Sequence, residues 1–79
     1  MRVFVRLFGT LAGRFPDHDP VKGIEIDLPG GAVVADLLEH LGISGDESGV
    51  VAVDGRVSAP DDPLPDQGSV NILQKMHGG

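Results

Sequence analysis

Residues 51–73 read VAVDGRVSAPDDPLPDQGSVNIL. Asp54-Gly55 sits inside a valine-rich run, the strongest short-range signal for a two-residue β-hairpin. The proline- and aspartate-rich stretch from Pro60 to Asp66 then forms a turn region. From Ser69 to Leu73 a strand pattern resumes, with Val70 and Ile72 facing one way and Asn71 and Leu73 the other. A hairpin and a separate late strand need a sheet to join. The preceding residues decide what kind.

Immediately upstream, AVVADLLEHLG at residues 32–42 has a different period. Val34, Leu37, Leu38 and Leu41 fall at i, i+3, i+4 and i+7, one face of a helix about three turns long. Gly42 stands where a C-terminal glycine cap belongs. No Ser, Thr or Asn precedes Val33, so the N-terminal end relies on Asp36 in the first turn. Further back, GIEIDLPGG (residues 23–31) alternates Ile24, Ile26 and Leu28 against Glu25 and Asp27, a strand halted by Pro-Gly-Gly. At the start, Arg2 to Phe8 alternates as well: Val3, Val5 and Leu7 on one face, Arg2, Phe4, Arg6 and Phe8 on the other. Between these strands, TLAGRFPDHDP at residues 10–20 is a long connection with room for one helical turn near Thr10–Phe15. The pattern predicts an α+β domain: a mixed sheet of four to five strands with one main helix across one face. One helix covers one side only.

Composition narrows the function. Seventy-nine residues make a single small domain over 1–79. There is no cysteine, which excludes disulfides, thiolate catalysis and iron–sulfur ligation by the chain itself. Twelve acidic residues against six basic ones give a net charge of −6, so nucleic-acid binding is not expected and a basic groove on a partner protein is. The N-terminal run lacks a continuous apolar core of signal-peptide length, and no stretch is long enough to span a membrane. The expected location is cytoplasmic.

The chain closes NILQKMHGG at residues 71–79. With 12 glycines in 79 residues, two terminal glycines arise by chance about 2% of the time, so the ending acquires meaning only from the attached domain. Gln74 to Gly79 is expected to be a flexible tail, roughly 20 Å long when extended.

The start VRLFGTL, the helix VADLLEHLG, the stretch VAVDGRVSAPDDPLPDQGSVNIL and the terminal Gly-Gly together resemble the MoaD/ThiS family, over essentially the whole chain. These are ubiquitin-like sulfur carriers of β-grasp fold. The resemblance implies that an ATP- and magnesium-dependent, E1-like adenylating enzyme activates the Gly79 carboxylate. Sulfur from a sulfurtransferase then replaces oxygen, giving a thiocarboxylate that a synthase large subunit or similar enzyme consumes. On this reading the chain is a carrier rather than an enzyme and binds no cofactor or metal itself. The molybdopterin-synthase small subunit is the nearest type, from VRLFGTL and the long first connection. Two features depart from that type: QKM precedes His77 where prolines are common, and Val33 replaces the usual threonine at the helix start. A thiamine-pathway or other sulfur carrier therefore stands as an alternative, as does a protein modifier joined to lysines through Gly79.

The tail chemistry agrees with the resemblance. A terminal carboxylate is anionic at neutral pH and can attack a phosphate, and Gly78 and Gly79, lacking Cβ, can enter a narrow channel. Docking is expected on the uncovered sheet face, through Phe8 and Leu73 with Phe4 and Val57 beside them. Lys75 and His77 are candidate contacts at the channel mouth. Arg6 reads either as a solvated residue or as a cation for an acidic partner group. Asp17-His18-Asp19 is not expected to hold a metal, because adjacent loop residues seldom converge on one ion, and Asp61-Asp62 is expected to shape its turn.

Overall fold

The computed structural model describes residues 1–15, 19, 21–44 and 48–74. Among these residues, five strands and one α-helix follow in order: β1 (Arg2–Leu7), a 3₁₀ turn (Gly9–Arg14), β2 (Ile24–Asp27), α1 (Val34–Leu41), β3 (Ser48–Val53), β4 (Arg56–Val57) and β5 (Gly68–Gln74). They form one mixed sheet in the order β2-β1-β5-β3-β4. The first and last strands lie side by side in the middle and run parallel, Val5 opposite Val70 and Leu7 opposite Ile72. The other pairs are antiparallel.

Alternation decides which side meets the helix. Val3, Val5 and Leu7 of β1, Val70 and Ile72 of β5, and Val51 and Val53 of β3 are all buried. Val34, Leu37 and Leu38 of α1 join them, with Leu11, Ile26, Leu28, Ala32, Ile43 and Leu64 closing the rim. Each large side chain of this set contributes about 1.5–3 kcal/mol by leaving water. No polar or charged residue among those described is buried with them. The core is wholly apolar, and it lies on one side of the sheet.

Both turns around β3 follow from local chemistry. Asp54 (φ 49°) and Gly55 (φ 83°) are both left-handed, which a two-residue type I′ hairpin requires, and they join paired Val53 and Arg56. Asp54 occupies that conformation while its carboxylate Oδ1 accepts the Ser69 amide at 2.8 Å. At the end of α1, Gly42 is left-handed: its amide donates to Glu39 O, and the Ile43 amide donates to Leu38 O.

The helix begins without a hydroxyl or amide cap. The amides of Val34 and Ala35 instead donate to the carbonyls of Asp62 (3.0 Å) and Pro60 (2.8 Å). The Asp36 carboxylate accepts the Val33 amide at 2.9 Å, completing the first turn from the other direction. Asp62 also fixes its own turn, its Oδ2 accepting the Ala59 amide at 2.8 Å. The proline-rich connection is thus the cap of the helix.

The structure lengthens β3. It begins at Ser48, inside what reads as polar loop, and pairs there with Gln74. Ser48 opposes Gln74 and Val51 opposes Ile72, so Gly49 and Val50 together face Leu73 across a β-bulge. Gln74, expected to begin the tail, is the last residue of β5. Its side chain explains the difference: Oε1 accepts the Thr10 amide at 2.8 Å, holding this end of the strand to the 3₁₀ turn.

Candidate functional site

The uncovered face of the sheet is built by the other half of the same alternation. Along β1 it carries Arg2, Phe4 and Arg6, and Phe8 extends the line with its amide on Ile72 O at 3.0 Å. Along β5 it carries Ser69, Asn71 and Leu73. Strand register aligns Arg6 with Asn71, Asn71 with Ala52, and Ala52 with Val57 in a single row across the sheet.

Three large apolar side chains gather one row beyond, where β5 ends: Phe8 (44% exposed), Leu73 (41%) and Val50 (43%). Exposed apolar side chains grouped in this way make this end of the sheet the candidate docking surface. Val50 belongs to it only because of the bulge, which places it opposite Leu73 on the uncovered side while Val51 points into the core. Sequence reasoning passed over it, although a signal exists: a glycine followed by two adjacent valines breaks strict alternation, as a bulge does.

The other two docking candidates lie elsewhere on the face. Phe4 is half-buried, opposite Ser69 and Glu25, and is separated from Phe8 by Arg6 and about 13 Å of strand. Val57 is 77% exposed on the edge strand β4, two strands away from β5, or about 10 Å. The structure therefore brings Phe8 and Leu73 together and leaves Phe4 and Val57 at the margins. Lys75, His77, Gly78 and Gly79 lie outside the described residues, as do Asp17 and His18. Asp19 is described, and its Oδ1 accepts the amides of Val21 and Lys22, a local turn.

Charge on this face is arranged unequally. Arg2 is neutralised within the chain: its Nε donates to Asp27 Oδ1 at 2.9 Å, and its Nη1 lies 3.5 Å from Glu25 Oε2. The hydrogen bond to Asp27 raises the Arg2 pKa, and the same bond holds the Asp27 carboxyl below its ordinary value. Arg6 is held differently. Its Nε donates to Asn71 Oδ1 at 3.0 Å and its Nη2 to Ser69 Oγ at 3.4 Å, both neutral acceptors. It lies on an interior strand, half-buried, and makes no ion pair with another described residue. Among the described residues, no group of three or more His, Asp or Glu could hold a metal, and no helix is long and apolar enough to cross a membrane.

This architecture, a mixed five-stranded sheet with one helix across it and parallel first and last strands, is the ubiquitin-like β-grasp fold. The chain belongs to the ThiS family, whose model matches residues 5–79. Among solved structures it is similar to a putative molybdopterin converting factor, subunit 1, from Pyrococcus furiosus: 29% identity, 96% of this chain and 99% of that one covered, TM-score 0.70. Small archaeal modifier protein SAMP1 from Haloferax volcanii is 17% identical over the whole of both chains with a TM-score of 0.75. The HVO 2177 protein of the same organism is 21% identical, covering all of this chain and 87% of that one, with a TM-score of 0.77. These last two are likenesses of fold. No curated protein matches the chain. Membership of the ThiS family supports a sulfur-carrier role.

Proposed function

We propose that this chain is a sulfur carrier whose reacting group is the carboxylate of Gly79, in a route to molybdopterin. A carboxylate oxygen attacks the α-phosphate of ATP, bound with magnesium on an E1-like partner, and pyrophosphate leaves. A persulfide on a sulfurtransferase then displaces AMP to give an acyl disulfide. A second thiol on the partner cleaves it and ends in a disulfide with the sulfurtransferase sulfur, and the thiocarboxylate so released passes sulfur to an acceptor enzyme of the synthase type. The chain supplies the docking surface and the acyl group; the partners supply the catalysis.

One observation carries the reading. β5 ends at Gln74 beside the apolar group of Phe8, Leu73 and Val50. A partner seated on those residues sits where residues 75–79 continue, five residues that reach about 17 Å when extended. That is far enough to deliver a terminus into a buried site while the folded body stays outside. The molybdopterin assignment is supported by the name of the Pyrococcus protein and the 29% identity to it.

The intact mass of the protein purified from its own host tests the proposal. A species heavier by the sulfur-for-oxygen difference at the terminus supports it. A terminus extended beyond Gly79, or Gly79 joined to partner lysines with no thiocarboxylate, overturns it, the second outcome in favour of a modifier.

A further inference from the structure

We infer that Arg6 is the specificity-determining cation of the docking face: it pairs with a carboxylate on the adenylating partner, at a point bordered by apolar contacts from Phe8, Leu73 and Val50. The inference rests on the proposed function and adds the chemistry of the partner's surface.

The argument starts from an imbalance. Acidic residues outnumber basic ones two to one in this chain, 12 to 6, so an internal carboxylate for every cation would be easy to provide. Arg2 has two, Asp27 and Glu25. Arg6, four residues along the same strand and on the same face, meets among the described residues only the amide oxygen of Asn71 and the hydroxyl of Ser69. Those bonds orient the guanidinium without neutralising it. Among the described residues, the carboxylates that pair on this face, Glu25 and Asp27, lie at the Arg2 end, and Arg6 lies nearer the apolar group and the exit of β5.

A guanidinium has five N–H donors and no acceptor. Asn71 and Ser69 engage two of them, and water satisfies the rest in the free protein. A partner seated on Phe8, Leu73 and Val50 covers the adjoining Arg6–Asn71 row and removes that water. Burying an arginine with unmet donors is strongly unfavourable, so a surface that fits this face must bring an acceptor. A carboxylate meets both the charge and the fork geometry of the remaining donors. The bonds to Asn71 and Ser69 also reduce the ordering needed when the pair forms. A lysine here would offer the charge without the fixed fork.

The test uses the full chain and the E1-like adenylating enzyme of its own host, read by ATP–pyrophosphate exchange. Arg6→Met keeps length and apolar stem while removing charge; its KM for the carrier is expected to rise roughly 30-fold or more at unchanged kcat. The wild-type KM is expected to increase with added NaCl, and Arg6→Met to flatten that dependence, which loss of a purely structural residue would not do. Arg6→Lys should recover part of the loss. Arg6→Asp combined in turn with arginine substitutions at each acidic residue of the partner's docking surface should restore exchange for one pairing. A KM for Arg6→Met within about three-fold of wild type, an unchanged salt dependence, or failure of every charge swap overturns the inference. Absence of exchange with the wild-type chain overturns instead the adenylation reading beneath it. Thermal melts of Arg6→Met identify any share of the effect due to unfolding.

Discussion

Gly9 and Gln74 occupy one another's space. Gly9 is left-handed (φ 73°), and a Cβ built there would fall 2.5 Å from Gln74 Oε1 and 3.0 Å from Gln74 Cβ. The missing side chain lets Gln74 lie across the turn and accept the Thr10 amide. Gly9→Ala is expected to cost about 1–2 kcal/mol from backbone strain alone, more with the crowding. Gly9→Ala combined with Gln74→Ala should cost less than the sum of the single changes, since removing the glutamine side chain relieves part of the clash. Urea denaturation of the three variants measures this; strict additivity would show the two residues to be independent.

Exposure separates docking from stability. Leu37 is fully buried at the centre of the helix–sheet contact, and Leu37→Ala should cost about 2–5 kcal/mol. Phe8→Asp and Val50→Asp change exposed positions and should cost no more than about 1 kcal/mol, while raising the KM for adenylation. Circular dichroism beside the exchange assay reads both effects. A Phe8→Asp variant that unfolds would place Phe8 in the core.

Gln67 is left-handed (φ 64°) without being glycine, at the turn into β5, while its amide donates to Arg2 O at 2.6 Å. A glycine meets the same backbone without the Cβ penalty. Gln67→Gly is therefore expected to raise stability by up to about 1 kcal/mol, measured as a shift in denaturation midpoint at constant slope.

Two exposed carboxyls tie stability to pH. Asp66 lies below its ordinary 3.8 because its carboxylate accepts the Arg2 amide, and Asp27 because it accepts the Arg2 guanidinium. A depressed folded-state pKa gives stability that is whole above the unfolded value and is lost as pH falls through the folded one. Tm should thus be level between about pH 7 and 5 and decline below about pH 4. Asp66→Asn keeps an acceptor for the Arg2 amide and removes the titration, so its decline should be shallower.

What could be read from the chain divides along physical lines. Asp54-Gly55 announces its hairpin because the turn's backbone angles restrict the residues it accepts. The spacing of Val34, Leu37, Leu38 and Leu41 announces α1 because the period of a helix is fixed. The cap of α1 was hidden, since the acceptors for Val34 and Ala35 are carbonyls of Asp62 and Pro60, and every residue type carries a carbonyl. The bulge at Gly49 and Val50 was hidden too: register across strands is a relation between distant segments, so Val50 was missed as a neighbour of Leu73. Phe8 and Leu73 were legible together because each strand's alternation assigns its own face. That Phe4 and Val57 stand apart from them required strand order, which local pattern does not contain.

The parallel pairing of β1 with β5 has a consequence for synthesis. During translation β1 waits, with one flank empty, until residues 68–74 have also been made, because its central neighbour β5 lies far later in the chain. A polypeptide cut short before Gly68 lacks β5 and with it the middle of its sheet. On the proposed function, only a molecule that has folded as far as β5 presents its terminus to an activating enzyme, so folding itself vets which termini are offered for chemistry.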